Sequence, residues 1–306
     1  MFTTVYQQPK DMNWGQSQEE RLEIVRPDLN FGSMTADEVL VSSALLNINL
    51  NDTKNLCHKL KCCYSKFRVV PECVAKQNSN YYSPEKLGYI WEVKNSKLIK
   101  KIKLKEIEEQ WIIPNIENVK HFVLPLKDKL IEIVTSDLGS IRKTDKTQIK
   151  DLSYRKSEKA KKLSWIDYEV PFSNGFHKLL SNFEFNSTPL EQLTYNKSGL
   201  EICLDDRQGQ RHRITFDKCL NIDVTEYELA SLIIPSEYCG RNAVGYFLDQ
   251  IPNSKLIEKL KKQTNGPKML EQLNHAKHFI LTLRDSIIQV VAEDISIERA
   301  PDDGEF

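Results

Sequence analysis

"KHFVLPLKDKLIEIVTSD", which begins at Lys120, and "KHFILTLRDSIIQVVAED", which begins at Lys277, spell nearly the same stretch about 157 positions apart. In both, apolar and polar residues alternate up to a basic residue and an aspartate, and a second apolar run follows. Alternation with a period of two is typical of a half-buried strand. Each stretch therefore predicts a β-hairpin, turning at Asp128 in the first and at Asp285 in the second. Pro125 lies within the first strand and predicts an edge position for it.

A second pair of matching stretches lies upstream in the same order. "LGYIWEVKNSKLIKKIK" begins at Leu87, and "VGYFLDQIPNSKLIEKLK" begins at Val244, with Pro252 as the one inserted residue. In each, an Asn-Ser pair precedes leucine and isoleucine at helical spacing, with lysines on the other face. This pattern predicts a helix with a capped N-terminus just before the final hairpin.

A third and weaker match sets "LLNINLND" at Leu45 beside "CLNIDVTE" at Cys219. It implies an insertion of about 17 residues in the first half, between Asn51 and Gly88. Three matches in one order indicate a tandem duplication. The sequence therefore predicts an α+β protein of two tandem homologous domains, each an antiparallel sheet with a helix inserted before the final β-hairpin.

The predicted boundaries follow from these matches. Residues 1–142 form the first α+β repeat with its cysteine-containing insertion, and residues 163–306 form the second. Between them, residues 143–162 read "KTDKTQIKDLSYRKSEKAKK", which is basic and poor in apolar side chains. Such a composition is typical of a solvated linker, although a basic contact surface is an alternative.

Composition limits the classes of protein to which the chain can belong. Lys plus Arg and Asp plus Glu both number 43, so a net charge of zero does not favour a general binder of nucleic acid. The N-terminal stretch lacks the features of a secretory signal, and no apolar run is long enough to span a bilayer. Seven cysteines, an odd number, indicate reduced thiols. We therefore expect a cytoplasmic protein without membrane insertion.

The first-half insertion contains residue types that bind zinc. They are Cys57, His58, Cys62, Cys63 and Cys73. The paired spacing of zinc sites is absent, however. Leu56, Leu60 and Cys63 have helical spacing, which favours a helix with structural, buried cysteines. A metal-binding enzyme centred on residues 57–73 remains an alternative, and no metal or other cofactor is expected.

The repeated histidines, His121 and His278, each stand seven residues before the aspartate of the turn. Along a strand this spacing exceeds roughly 20 Å, so histidine and aspartate cannot form a catalytic dyad. Packing of the histidine at the edge of a strand is the favoured interpretation. No phosphate loop, dinucleotide fingerprint or hydrolase motif occurs in the sequence. The sequence therefore indicates no catalytic residue.

Basic and aromatic side chains of the second half are the candidate contacts for a protein partner. The stretch "RQGQRHRITF" is the densest basic group outside the linker, although a solvated hairpin would explain it too. Arg and Tyr are common anchors of protein interfaces. The predicted partner-binding residues are Arg211, Arg213, Tyr238, Arg241 and Tyr246.

The second half also resembles a group of small bacterial domains. The resemblance rests on "RITFDKCLNIDVTEYE", "GYFLDQIPNSKLIEKL" and "HAKHFILTLRDSIIQVVAEDISI", covering most of residues 200–298 and, more loosely, 39–142. Such domains accompany bacterial polymorphic toxins as immunity proteins. This sequence departs from their pattern in having Lys97 and Lys255, where a bulky apolar residue often follows the Asn-Ser pair.

The resemblance implies a non-catalytic, cytosolic protein that binds a cognate bacterial toxin and blocks it. A structural or regulatory adaptor that uses the basic linker is the alternative from a different class. Neither hypothesis requires a cofactor or contact with nucleic acid.

Overall fold

A computed structural model of the 306-residue chain shows which parts of the sequence form strands and helices. It describes residues 19–31, 38–42, 45–54, 56–78, 81–109, 116–144, 177–178, 190, 192–196, 199–206, 209–227, 229–230, 248–264 and 266–299. The predicted linker lies outside the described residues except for positions 143 and 144, which end a strand.

Strands predominate among the described elements of both halves. The first half contains β1 (Arg21–Ile24), β2 (Glu38–Ser42), β3 (Leu45–Asn51), β4 (Cys57–Cys63), β5 (Lys66–Pro71), α1 (Glu72–Asn78), β6 (Trp91–Lys94), α2 (Lys97–Glu109), β7 (Lys120–Pro125), β8 (Lys129–Thr135) and β9 (Ser140–Thr144). Short 3-10 helices span Pro84–Lys86 and Ile116–Asn118. The second half contains β10 (His177–Lys178), β11 (Gln192–Asn196), β12 (Gly199–Asp205), β13 (Arg211–Asp217), β14 (Asn221–Glu226), β15 (Leu248–Ile251), α3 (Lys255–Lys262), α4 (Pro267–His275), β16 (Lys277–Thr282), β17 (Ser286–Ala292) and β18 (Asp294–Arg299).

The strands form two antiparallel sheets, and each sheet takes strands from both halves of the chain. Sheet A has ten strands in the order β1-β6-β7-β8-β5-β14-β17-β16-β15-β10. Sheet B has eight in the order β18-β13-β12-β11-β2-β3-β4-β9. The halves meet where β5 pairs with β14 and where β2 pairs with β11. The predicted α+β class is confirmed, and within the described residues each sheet combines strands of both halves.

The two sheets pack face to face around one large core. Alternate residues of β3 and β12 face inward, including Ile48 and Ile202, and they meet apolar residues of sheet A such as Phe67 and Phe279. These side chains are almost fully buried. The period-two pattern of each strand therefore determines which face forms the core.

The described helices pack on the other face of sheet A, and they do so across the halves. Val74 of α1 in the first half clusters with Ile257 and Leu260 of α3 in the second. Ile102 of α2 in the first half packs against Leu229 of the second. The halves thus contact each other in the helical layer as well as in the sheets. Among the described helices, none is long and apolar enough to cross a bilayer.

The predicted hairpins and helix caps are confirmed. The backbone N–H of Leu126 donates to the carbonyl of Lys129, and that of Leu283 to Ser286, both at 2.8 Å, closing tight turns at the two predicted aspartates. Ser254 is the N-cap of α3, and its Oγ accepts from the backbone of the first turn at 3.2 Å. The preceding asparagines, Asn95 and Asn253, adopt positive φ, a conformation that asparagine tolerates better than most residues.

Two local expectations are wrong. β7 lies between β6 and β8 rather than at an edge. This strand tolerates Pro125 because β6 pairs with β7 only as far as Val123, so the missing N–H of the proline lies beyond that pairing. Residues 57–63 form the strand β4 rather than a helix. β4 lies between β3 and β9, just as β13 lies between β12 and β18.

The third sequence match does not join equivalent positions. "LLNINLND" covers β3 of sheet B, whereas "CLNIDVTE" covers β14 of sheet A. The interval between Asn51 and Gly88 contains β4, β5 and α1. Short apolar alternation is common to strands of both sheets, so it cannot specify which strand is which.

Candidate functional site

Two of the predicted partner-binding residues, Arg211 and Arg213, lie on β13 with their side chains on the face of sheet B that is turned away from sheet A. Arg211 Nε donates to Asp205 Oδ1 at 2.8 Å. Arg213 Nη1 donates to Glu298 Oε1 at 3.1 Å, and its Nε lies 3.4 Å from Glu201 Oε1. Both cations therefore lie in ion pairs. Tyr238, Arg241 and Tyr246 lie outside the described residues.

The cysteines of β4 are distributed over both faces of sheet B. His58 and Cys62 flank the inward-facing Leu60, whereas Cys57 and Cys63 alternate with them and face outward. Burial raises the pKa of the Cys62 thiol to about 12. Within the described part of the chain, no three His, Cys, Asp or Glu side chains converge as a metal site would require, and the side chain of Cys73 lies outside that part.

A histidine–aspartate pair closes the same hairpin in each half. His58 Nε2 lies 2.9 Å from Asp52 Oδ2, and His212 Nε2 lies 2.8 Å from Asp206 Oδ2. Asp52 Oδ1 accepts hydrogen bonds from two backbone N–H groups of its own turn at 2.8 and 2.9 Å, and Asp206 Oδ1 accepts one from the backbone N–H of Gln210 at 2.8 Å. The hydrogen bond from His58 lowers the pKa of Asp52. These carboxylates therefore fix the turns β3–β4 and β12–β13.

A serine–histidine pair also occurs in each half. Ser96 Oγ lies 3.0 Å from His121 Nδ1, and Ser254 Oγ lies 2.8 Å from His278 Nδ1. All four residues are buried. In a Ser-His-Asp catalytic site the serine contacts Nε2 and the acid contacts Nδ1. Here the serine is on Nδ1 and its oxygen already accepts from the helix backbone, so each pair ties a helix N-terminus to a strand of sheet A.

These pairs were missed in the sequence, although the signal was there. An aspartate stands six residues before a histidine in both halves. The weak match of Leu45 with Cys219 hides this correspondence, because that match places β4 in an insertion without a counterpart in the second half. The serines were noticed only as candidate caps, and their histidine partners lie more than twenty residues further along the chain.

A small cavity of about 420 Å³ lies near the first serine–histidine pair. Its lining includes Glu20, Leu22 and Tyr81. Glu20 Oε1 accepts from the backbone N–H of Lys97 at 2.6 Å, and the Tyr81 ring contacts the His121 ring edge-on, with centroids 5.8 Å apart. The carboxylate in this cavity is therefore already engaged as a cap of α2.

Charged residues meet at the middle of sheet A, where the two halves join. Lys66 Nζ contacts the carboxylate of Asp223 and donates to Thr225 Oγ1 at 3.0 Å. Arg68 lies directly opposite Asp223 in the strand register, and its Nε donates to Asn221 Oδ1 at 3.1 Å. This central charged cluster joins β5 of the first half to β14 of the second.

The charges around Asp223 favour its ionised form. Burial by itself would raise the pKa of Asp223, but the positive charges of Lys66 and Arg68 outweigh burial and lower it. Arg68 also has the carboxylate of Glu132 at 3.6 Å. Each buried charge in the cluster is thus compensated by a neighbour, which is the condition for keeping ions inside a protein.

The buried histidine His278 predicts a pH dependence of stability. Burial lowers its pKa from 6.5 to about 4, although Gln289 and Asp223 act in the opposite direction. A group whose pKa is depressed on folding contributes stability above its unfolded pKa, and that contribution is lost as the pH falls through the window from 6.5 to 4. We expect a loss of about 3 kcal/mol from this residue across the window, measured by urea unfolding at successive pH values.

The variant His278→Gln should flatten this dependence, because the titrating group is removed. The variant His275→Gln is the matched control, since His275 is exposed on α4, and it should keep the wild-type slope. Equal slopes for His278→Gln and the wild type would contradict the assignment.

The buried histidine–aspartate and serine–histidine pairs thus hold turns and helix ends, and the central charged cluster joins the two halves. Comparison of the chain with protein-family models, with curated proteins and with solved structures found no match.

Proposed function

We propose that this chain is a cytosolic, non-catalytic binding protein, and specifically an immunity protein that binds a cognate bacterial toxin and blocks its active site. One observation carries the proposal: the paired histidines occur twice, at matching places in the two halves, and each stabilises a turn or a helix end. Residues arranged for chemistry converge on a substrate. Residues repeated at hairpins and caps support the fold, so we propose that the outer faces of the described sheets supply the contact surface.

The outer face of sheet B is the contact face that we propose. The described helices pack on sheet A, and Arg211 and Arg213 lie on sheet B. Eight strands at about 4.8 Å spacing extend over about 34 Å. A face of this width can supply much of the roughly 800 Å² that each partner contributes to a stable protein interface.

The proposed duplication is supported by the same arrangement. In each sheet, the strands of the two halves follow corresponding orders outward from the junction. At the junction β5 pairs with β14 in sheet A, and β2 pairs with β11 in sheet B. The repeated stretches that begin at Lys120 and Lys277 form the β7–β8 and β16–β17 hairpins, which flank the middle of sheet A. Two homologous repeats that share both sheets account for these positions.

Co-expression with the toxin encoded by the neighbouring gene tests the proposed function. We expect cells that carry the toxin and this chain to survive, and the two proteins to purify together at one to one. Cells with the toxin and an empty vector are the control. A chain that neither protects the cells nor purifies with the toxin contradicts the proposal.

A further inference from the structure

One cross-strand position on the outer face of sheet B differs in charge between the halves. In the second half, Arg213 on β13 lies directly opposite Glu298 on β18, and the two form an ion pair at 3.1 Å. In the first half, Lys59 on β4 lies directly opposite Arg142 on β9. Where the second half has two opposite charges, the first half therefore has two positive charges.

The equivalence of the two positions is fixed by the buried histidines. His58 and His212 occupy the same place in their hairpins, each paired with an aspartate six residues earlier. The next residue in the chain is Lys59 in one case and Arg213 in the other. Because successive residues of a strand alternate faces, both side chains lie on the outer face.

The second carboxylate near Arg213 is also absent from the first half. Glu201 on β12 pairs in register with Thr215, two residues after Arg213. The corresponding partner of Lys61, two residues after Lys59, is Asn47 on β3. Both acidic neighbours of the second half are therefore replaced, one by an amide and the other by a cation.

The result, among the described residues, is a cluster of positive charge, the basic patch of Lys59, Lys61 and Arg142. Lys61 and Arg142 are exposed and Lys59 is half-buried. Within the described residues, none of the three forms an ion pair. Like charges directly opposite each other in an antiparallel pair destabilise it. The other half shows that an arginine–glutamate pair fits this position, so the fold does not require the cations.

We propose that the basic patch is a docking surface for an acidic face of a protein partner. The identification of that partner as the toxin rests on the proposed function. A nucleic acid fits less well, because the side chains paired with the patch on β3 are Asn47 and Asn49 rather than aromatic platforms for bases. A long polyanion would also meet Glu201 and Glu298 on the same face.

The experiment compares three forms of the full chain. They are the wild type, the patch variant Lys59→Glu/Lys61→Glu/Arg142→Glu, and a control variant Lys255→Glu/Lys262→Glu/Lys268→Glu. The control changes the net charge equally, but on exposed positions of α3 and the adjacent α4. Binding is measured to the toxin of the neighbouring gene, to fluorescein-labelled poly-L-glutamate, and to a DNA duplex, each at low and high salt.

We expect the wild type and the control to bind the toxin and poly-L-glutamate with a salt-dependent affinity that the patch variant loses at least tenfold. Equal toxin binding by patch variant and wild type overturns the docking surface and leaves the proposed function standing. Failure of the wild type to bind the toxin overturns the proposed function, and the poly-L-glutamate measurement then decides the patch by itself. Patch-dependent binding that is stronger for DNA than for poly-L-glutamate overturns the assignment of a protein partner.

A single substitution separates binding from folding. Arg142→Glu gives the first half the charge pattern of the second, so its thermal unfolding midpoint should equal or exceed that of the wild type while toxin binding weakens. A lower midpoint together with unchanged binding contradicts the proposed role of the patch.

Discussion

The variant Asp223→Ala is expected to lose about 3 to 5 kcal/mol of unfolding free energy, because it leaves Lys66 buried without its carboxylate. Lys66 is 9% exposed, and Asp223 is its ion-pair partner at the middle of sheet A. The lowered pKa of Asp223 means that this contribution is present at neutral pH and is lost as the pH falls below its unfolded value of about 3.9. Urea unfolding followed by circular dichroism measures the loss.

Two further variants test the cause of this loss. The double variant Lys66→Met/Asp223→Leu removes both charges and should recover a large part of the stability, since no buried ion is left uncompensated. The exposed ion pair of Arg26 and Asp28 provides the control, and Asp28→Ala should change stability little. If the double variant is as unstable as Asp223→Ala, the loss does not arise from a stranded charge.

Separating the halves is expected to abolish folding of each. When residues 1–160 or residues 161–306 are expressed alone, the monomer should show no cooperative unfolding. When the two pieces are co-expressed, they should assemble one to one. Separation removes the β5–β14 and β2–β11 pairings and divides a core to which both halves contribute. Such halves resemble subunits of an obligate dimer, whose folding and assembly are inseparable.

Size-exclusion chromatography and circular dichroism of each half, and of the mixture, measure this outcome. The full chain with a protease site inserted after position 160 is the control, and after cleavage it should elute and unfold as one species. A half that is monomeric and unfolds cooperatively by itself contradicts this dependence of each half on the other.

Local signals in the sequence were sufficient for local structure. The aspartates of the turns and the Asn-Ser pairs specify hairpins and helix starts within a few residues, and these predictions are confirmed. Leu56, Leu60 and Cys63 fit a helical period, but the run is too short to distinguish a helix from the strand that the structure shows there. Long-range pairing between β5 and β14 has no local signature, so the sharing of both sheets was not foreseen.

The basic patch likewise depends on long-range strand pairing, which has no local signature in the sequence. Lys59, Lys61 and Arg142 are ordinary surface residues in the sequence, and they become a patch only when β9 pairs with β4. The sequence predicts Arg211 and Arg213 as anchors for a partner, and it does not show that neighbouring strands supply a carboxylate to each of them. Charge compensation depends on strand register, which composition and spacing do not reveal.

Arg68 and Asp223 lie opposite each other at the centre of sheet A, where each half presents the same position to the other. Two copies of the first half would set arginine against arginine there, and two copies of the second would set aspartate against aspartate. The mixed pairing instead places a positive charge opposite a negative one. At this position the two halves are therefore not interchangeable, and joining them in one chain brings each charge to its counterpart.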